Sequence, residues 1–482
     1  MAERLGVLMV SYGARDAAML HALGSSKQYK PVFYVADGQR NPYTVSMAGS
    51  TGGAHRVVKG LAVDGIVQFA KENAKHIDLG IVGPEGPIID GVRDRIEEDP
   101  ATRHIKMLCP TAMYAVGGSR AAQRALIARA APEANPGYRV FALQGHLDRA
   151  LLDSGQVASY RTAEAAVQDF WTLYNQLGGQ CVMKPDRATA GRGAMVPGDQ
   201  FSSWDEAEEH FRDFLDTSAV MVEEKIEGEK SGLFGFSDGN GFVPTRYIRG
   251  YSRAFDRDKG PNTEGMGSYM DKAGHLPFMT EGEAQEGYRM AQKVFNALRG
   301  DGRNAGLLGV PLYISFMHTG HGMKMLKISS MAGDPEMINV LPLMRDDFAS
   351  LCVSMAGGSM KKELGMWPYA TVVTYKVPPT YGGKDPGWKG DAEVHIDAEH
   401  KIRNMGPIRL YPGSVEQNGV RTYALTSRAV ASLGIGENIH EARKRSMAGL
   451  SLVTGGDLWS RGDVGSRDHI GSSMVYMESL RH

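Results

Sequence analysis

Short apolar runs alternate with helically spaced stretches over the first hundred residues. Val7-Leu8-Met9-Val10, Val32-Phe33-Tyr34-Val35 and Leu79-Gly80-Ile81-Val82 are compact enough for buried strands. After the first run, Ser11-Tyr12-Gly13-Ala14-Arg15-Asp16 reads as a turn, and a helix is predicted from there to Gly24. Residues 63–75 read as a second helix. A further helix carries Ile88, Val92 and Ile96 on one apolar stripe. Strands alternating with helices predict a parallel, doubly wound sheet, in which ligands bind beyond the carboxyl ends of the strands. The turns at 11–16 and 83–87 are therefore candidate ligand loops, with plain tight turns as the alternative. There is no Gly-x-Gly-x-x-Gly at either turn, which argues against a dinucleotide site.

The pattern changes after residue 160. A helix over 162–177 places Val167, Phe170, Tyr174 and Leu177 on one face and stops at Gly178. Cys181-Val182-Met183-Lys184 is a strand ending in lysine. Ser203-Trp204-Asp205-Glu206 has the form of a capping box opening another helix. Val220-Met221-Val222-Glu223-Glu224 is again a strand. A basic, glycine-rich segment runs from Arg246 to Gly267, and apolar strands surround residues 323–329. The remainder has a β-rich stretch at Thr371-Val372-Val373-Thr374-Tyr375, a helix over 437–449 and a terminal strand near 473–478. No internal repeat is visible.

Composition narrows the function class. Sixty glycines in 482 residues is about 12%, against a usual ~7%, and they sit at turns, as in α/β proteins whose loops approach phosphates. Fifty-four Lys and Arg against 55 Asp and Glu exclude a nucleic-acid binder working through bulk positive charge. No apolar run reaches the ~18 residues of a membrane span, and the run at 7–10 is too short for a signal peptide. Cys109, Cys181 and Cys352 form neither a disulfide framework nor a zinc pattern, so a cytoplasmic chain is expected.

Lys184 is followed by Arg187-Ala188-Thr189-Ala190-Gly191-Arg192-Gly193. A lysine beside glycine-freed backbone N–H groups suits a polyphosphate, although a surface lysine beside a loop has the same appearance. Glu223-Glu224 fits a linker strand that holds an adenine and a ribose; a solvated edge is the plain alternative. Arg246, Arg249, Arg253, Arg257 and Lys259 lie within fourteen residues and could bind a phosphorylated substrate. Asp256 and Asp258 among them leave a salt-bridged surface as the alternative.

Taken in order, these segments resemble one family. Gly83-Pro84-Glu85-Gly86-Pro87, Lys184 with its glycine loop, and Glu223-Glu224-Lys225-Ile226-Glu227-Gly228-Glu229 are similar to phosphoribosylamine–glycine ligases, also called glycinamide ribonucleotide synthetases. Gly260-Pro261-Asn262-Thr263-Glu264-Gly265-Met266-Gly267 and Gly333-Asp334-Pro335-Glu336 extend the match. Arg40-Asn41-Pro42, Ser427-Arg428-Ala429 and Arg461-Gly462-Asp463-Val464-Gly465 point to the archaeal form. The resemblance implies an α/β fold with a pre-ATP-grasp parallel βα domain over 1–112 and an ATP-grasp domain over 113–345. A lid would lie at about 137–222, and a C-terminal α+β domain over 346–482. It implies ATP and Mg²⁺, and an acyl phosphate route from glycine and phosphoribosylamine to an amide in purine synthesis. Arg253, Asp334 and Glu336 would be catalytic. ATP would be held by Arg120, Lys184, Gly191, Arg192, Gly193, Glu223, Glu229 and Lys327. The other substrate would meet Arg15, Arg40, Gly83, Pro84, Glu85, Asn262, Thr263, Gly265 and Met266. The partners implied are small molecules.

The chain departs from that pattern. The family's magnesium-holding Glu and Asn, two residues apart on a strand, are Lys327 and Ser329 here, and an arginine two residues further on is Met331. Asp-His-Lys-Arg becomes Gly250-Tyr251-Ser252-Arg253. Two nucleotide lysines are Arg120 and Arg192, and a glycine is Glu264. The usual metal ligands are thus expected to be absent, with Glu264 or Glu336 left as candidates. A ligase acting on another amine or amino acid, and a catalytically silent nucleotide-binding protein, stay open, as does the oligomeric state.

Overall fold

The first apolar runs become strands of a five-stranded parallel sheet: β1 (Glu3–Ser11), β2 (Tyr29–Asp37), β3 (Ala54–Val57), β4 (Leu79–Val82) and β5 (Lys106–Leu108). The computed structural model describes residues 2–147, 157–187, 193–388, 393–396 and 407–482. The strand order is β3-β2-β1-β4-β5, so the winding reverses between β1 and β4. Helices α1 (Ala14–Gly24), α2 (Pro42–Ser50), α3 (Val63–Asn73), α4 (Glu85–Ile89) and α5 (Val92–Glu98) cover it. Alternate residues of β1 serve opposite faces. Val7 and Met9 pack with Ala17 and Leu20 of α1, whereas Leu8 and Val10 pack with Ile66 of α3 and Val92 of α5. The stripe of Ile88, Val92 and Ile96 is buried, but on two helices rather than one. Gly91, at φ 77°, breaks them where an L side chain would be strained.

Next, α6 (Arg120–Ala130), capped by Ser119, leads to a four-stranded sheet. Its strands are β6 (Tyr138–Leu143), β7 (Val157–Tyr160), β8 (Cys181–Pro185) and β9 (Val220–Glu224), ordered β7-β6-β9-β8. α7 (Ala163–Gln176) and α8 (Trp204–Leu215) close one face, where Phe170 stacks on Phe211 at 4.2 Å. The expected capping box is offset by one residue. Ser203 accepts the Glu206 N–H, but the Glu206 carboxylate accepts from the Ser202 N–H at 2.6 Å.

The largest sheet is antiparallel and grows from β10 (Glu229–Asp238), β11 (Phe242–Pro244), β12 (Ile248–Phe255) and β13 (Lys259–Met270). The basic, glycine-rich segment is therefore mostly strand. After α9 (Glu281–Arg299) come β14 (Leu308–Thr319), β15 (Gly322–Ser329), α10 (Glu336–Val340), α11 (Phe348–Gly357) and β16 (Ala370–Lys376). The last part holds β17 (Val394–Ile396), β18 (Ile408–Pro412), β19 (Val415–Asn418), β20 (Arg421–Ala424), β21 (Val430–Gly436), α12 (Ile439–Leu450), β22 (Val453–Gly455) and α13 (Arg467–Arg481). The order β15-β14-β10-β12-β13-β16-β21-β18 carries the sheet past residue 345, because β16 pairs with β13.

The expected terminal strand is part of α13. Ser473 and Met477, four apart, are buried, while Met474, Val475 and Tyr476 between them are exposed. That is a helical period; the short apolar run alone does not separate helix from strand. No helix among the described residues is long and apolar enough to cross a membrane.

Candidate functional site

Two clusters of charge face each other where the three sheets meet. The first is cationic. β8 and β9 pair with Lys184 opposite Met221, which puts Lys184 and Glu223 on one face and lets them form an ion pair. The other Glu223 oxygen accepts from Nε of Arg124 at 2.5 Å. Arg124 is 2% exposed and donates to the carbonyls of Met325 at 2.6 Å and Leu326 at 2.7 Å. Those carbonyls lie where the register of β15 on β14 slips. One helical turn earlier, Arg120 donates to the Pro185 carbonyl at 2.9 Å. Burial pushes the Lys184 ammonium down to about 8, against the pull of Glu223 and with the push of Arg124 and Arg120. Lys327 on β15 is also held below the ordinary lysine range by burial; Glu85 and Glu336 oppose the shift and Arg120 adds to it. Arg120 therefore acts on both lysines, which ties β8 to β15 electrostatically.

The second cluster sits at the reversal point between β1 and β4. No side chain caps the N-terminus of α1 at Gly13. Arg15, 4% exposed, pairs with Asp16 at 2.8 Å and donates to the Ala332 carbonyl at 3.1 Å. A Cβ on Gly83 would stand 1.8 Å from the Asp16 carboxylate and 2.7 Å from the Arg15 guanidinium, so this turn must be glycine. The Asp334 carboxylate lies 2.8 Å from where Gly13 would carry a Cβ, and it accepts from the Tyr375 hydroxyl. Arg428 lies 3.4 Å from Asp334 and 3.8 Å from Glu264, over the Tyr375 ring. Glu336 accepts from the Tyr313 hydroxyl at 2.8 Å. Burial, with Asp334 nearby, pushes Glu336 above the usual carboxylate range.

The remaining expected site residues divide between these clusters and elsewhere. Glu85 accepts the Ser330 N–H at 2.7 Å and is wedged against Gly117, while Pro84 precedes it at the helix start. Arg40 is exposed, and its carbonyl accepts from the Gln417 N–H at 2.8 Å. Thr263 donates to the Ser252 carbonyl and accepts from the Gly265 N–H. Gly265 has φ 127°, and its missing Cβ would face Pro335 at 3.2 Å. Asn262 is half-buried opposite Arg253, and Met266 lies inside the core. Arg253 pairs with Asp199, while Glu229 pairs with Arg249 at 2.9 Å. Arg253 and Glu229 thus form part of a third group with Arg249 and Asp258, the salt-bridged arrangement that the mixed charges of that segment also allowed. Gly193 is buried, whereas Gly191 and Arg192 lie outside the described residues.

Known proteins match this architecture along its length. The family description "Phosphoribosylglycinamide synthetase, N domain" matches residues 5–116, and "Phosphoribosylglycinamide synthetase, ATP-grasp (A) domain" matches residues 149–337. A phosphoribosylamine–glycine ligase of Methanocella arvoryzae is 30% identical over 481 residues, 98% of this chain and 99% of that protein. The chain belongs to the phosphoribosylamine–glycine ligase family. The ligase of Pyrococcus horikoshii is also 30% identical, over 98% of both chains. Among solved structures, the Thermotoga maritima phosphoribosylamine–glycine ligase superposes with a TM-score of 0.68 at 17% identity, covering 95% of this chain and all of that one. An ADP complex of N5-carboxyaminoimidazole ribonucleotide synthetase reaches 0.60 at 12% identity, over 93% and 97%. These two likenesses show the fold.

Phosphoribosylamine–glycine ligases are ATP-grasp enzymes that form carbon–nitrogen bonds with ATP and Mg²⁺. At the strand where the resemblance places the metal ligands, the two residues are Lys327 and Ser329. Lys327 offers an ammonium and Ser329 a neutral hydroxyl, and the described residues contain no group of three or more His, Cys, Asp or Glu arranged to hold a metal. Glu85 is engaged by the Ser330 N–H and Glu336 by Tyr313. Sequence reasoning missed Arg124 and Tyr313 and gave Arg428 no role. Arg124 stands four residues after Arg120 on one helix face, a spacing that could have drawn notice. Tyr313 carried no local signal.

Proposed function

We propose that this chain is an ATP-dependent ligase that joins glycine, through an acyl phosphate, to phosphoribosylamine in purine biosynthesis, with small-molecule partners in the cytoplasm. The observation that carries the reading is continuity. One stretch, Lys327 to Glu336, starts beside the cationic cluster and ends in the acidic cluster, so phosphoryl transfer and amide formation share a wall. In this reading residues 1–112 hold the ribosyl amine, residues 113–345 with a lid at about 137–222 hold ATP, and residues 346–482 close the cleft through Arg428.

The residues have distinct tasks. Lys184, Arg120 and Lys327 neutralise phosphate charge while a glycine carboxylate oxygen attacks the γ-phosphorus and the bond to ADP breaks. The ribose phosphate sits at the uncapped start of α1, beside Arg15 and Gly83. The amine then attacks the acyl carbon and phosphate leaves. Glu336, a stronger base than an ordinary carboxylate because burial raises it, accepts the amine proton. Holding both reactants against one wall supplies the orientation that the reaction needs.

Phosphate release from ATP, with glycine and phosphoribosylamine added singly and together, tests the proposal. Release that needs both, with the amide product identified by mass, supports it. Release only with another amine or amino acid would move the substrate assignment. No release with any pair would make the chain a silent nucleotide binder.

A further inference from the structure

The face of the large sheet that looks into the cleft carries cations where a divalent metal would need oxygens. Directly opposed residues of an antiparallel pair share a face, and every second residue along a strand follows them. Lys327 opposes Ser315, which opposes Gly232, and Ser329 opposes Tyr313. Lys230, two residues before Gly232, belongs to the same face. So does Gly250, whose missing Cβ would stand 3.0 Å from the Glu336 carboxylate.

Three donors on this face lack acceptors. The Ser329 hydroxyl is 1% exposed and has no hydrogen-bond partner among the described residues. Lys327 and Lys230 likewise make no hydrogen bond or ion pair through their ammonium groups among the described residues. The carboxylates near them are occupied. Glu85 accepts from Ser330, Glu336 accepts from the Tyr313 hydroxyl, and Glu229 and Asp258 both pair with Arg249. Arg120 stands near Lys327, and Arg253, paired with Asp199, near Lys230, whereas Arg249 with its Glu229 and Asp258 partners alternates to the other face. A set of donors without acceptors on one face calls for a ligand with several anionic oxygens.

We propose that Lys327, Lys230 and Ser329 form a phosphate cradle whose ammonium groups take the place of divalent metal, so that a nucleoside polyphosphate binds this face without Mg²⁺. The proposal rests on reading the cleft as the nucleotide site. The same ammonium that attracts phosphate repels a divalent cation at close range, so the two arrangements exclude each other at this strand.

Titration calorimetry of the full chain with ADP and a non-hydrolysable ATP analogue, in EDTA and then in Mg²⁺, tests it. Affinity in EDTA should lie within about threefold of that in Mg²⁺, and Lys327→Met should lower the metal-free affinity about tenfold or more. Lys327→Arg should keep it, and Lys327→Glu should make binding depend on Mg²⁺. The comparison of buffers needs no variant, so it stands even if a substitution fails to fold. Binding that requires Mg²⁺ in the unaltered protein, or a Lys327→Met protein with unchanged metal-free affinity, overturns the cradle and leaves the nucleotide reading intact. No binding in either buffer overturns both.

Discussion

At one end of the cleft Arg120, Arg124, Lys184 and Lys327 face Glu223 and Glu85; at the other Asp16, Asp334, Glu336 and Glu264 face Arg15 and Arg428. The excess of cations at the first end suits a polyanion, and the excess of carboxylates at the second suits an amine that must lose a proton. Burial acts on both ends in the same sense, against charge. It pushes Lys184 down to about 8 and Glu336 above its usual range, so each group holds its charge less readily than it would in water. Under the proposed function, this shared desolvation would act on a phosphate-binding lysine at one end and on a base at the other.

The contrast breaks most severely at Arg124. Arg124→Met leaves Glu223 with Lys184 alone and the Met325 and Leu326 carbonyls without donors, and should cost about 3–5 kcal/mol of stability. Urea unfolding measures it. Adding Glu223→Gln should recover part of the loss, because the carboxylate is no longer buried with too little charge around it.

At the acidic end, Glu336→Gln should slow amide formation by about 10²-fold or more while leaving nucleotide affinity unaltered. Single-turnover product formation beside calorimetry separates the two. A parallel fall in both would show that the ends are not independent. Next in size, Lys184→Met should weaken ATP binding by about 1.5–3 kcal/mol, and unchanged affinity would place the phosphates elsewhere.

The smallest effect is in pH. Lys184 is already protonated below about 8, so nucleotide affinity should be flat there. Above that value binding must take up a proton, and affinity should fall by up to about tenfold per pH unit, until the pH passes the higher pKa of the bound lysine. Lys184→Arg, charged throughout, should flatten the profile. A slope that persists in this variant would assign the titration to another group.

Lys184 could be picked out from the chain alone because its signal is local: a strand end followed by glycines. The catalytic reading of Glu336 and Asp334 came through the family resemblance, and their partners did not. Tyr313 reaches Glu336 from a strand that ends before β15 begins, and Arg428 reaches Asp334 across 94 residues. Such pairs depend on how strands are ordered, and spacing along the chain carries no record of that.

What the amino-acid sequence determined by itself was the set of elements with strong local periodicity. The apolar runs of β1, β2 and β4 and the stripe of α7 must be buried, since burying apolar area is their main source of stability. Only the tertiary structure decided that α13 is a helix, because Met474, Val475 and Tyr476 reveal their exposure only once Ser473 and Met477 are seated. It also decided that Lys230 and Gly250 join the face that Lys327 and Ser329 share by alternation, because that follows from the register of β10, β12, β14 and β15. Register is set by hydrogen bonds between strands far apart in the chain, and a slip of one residue would turn Lys327 away from the cleft.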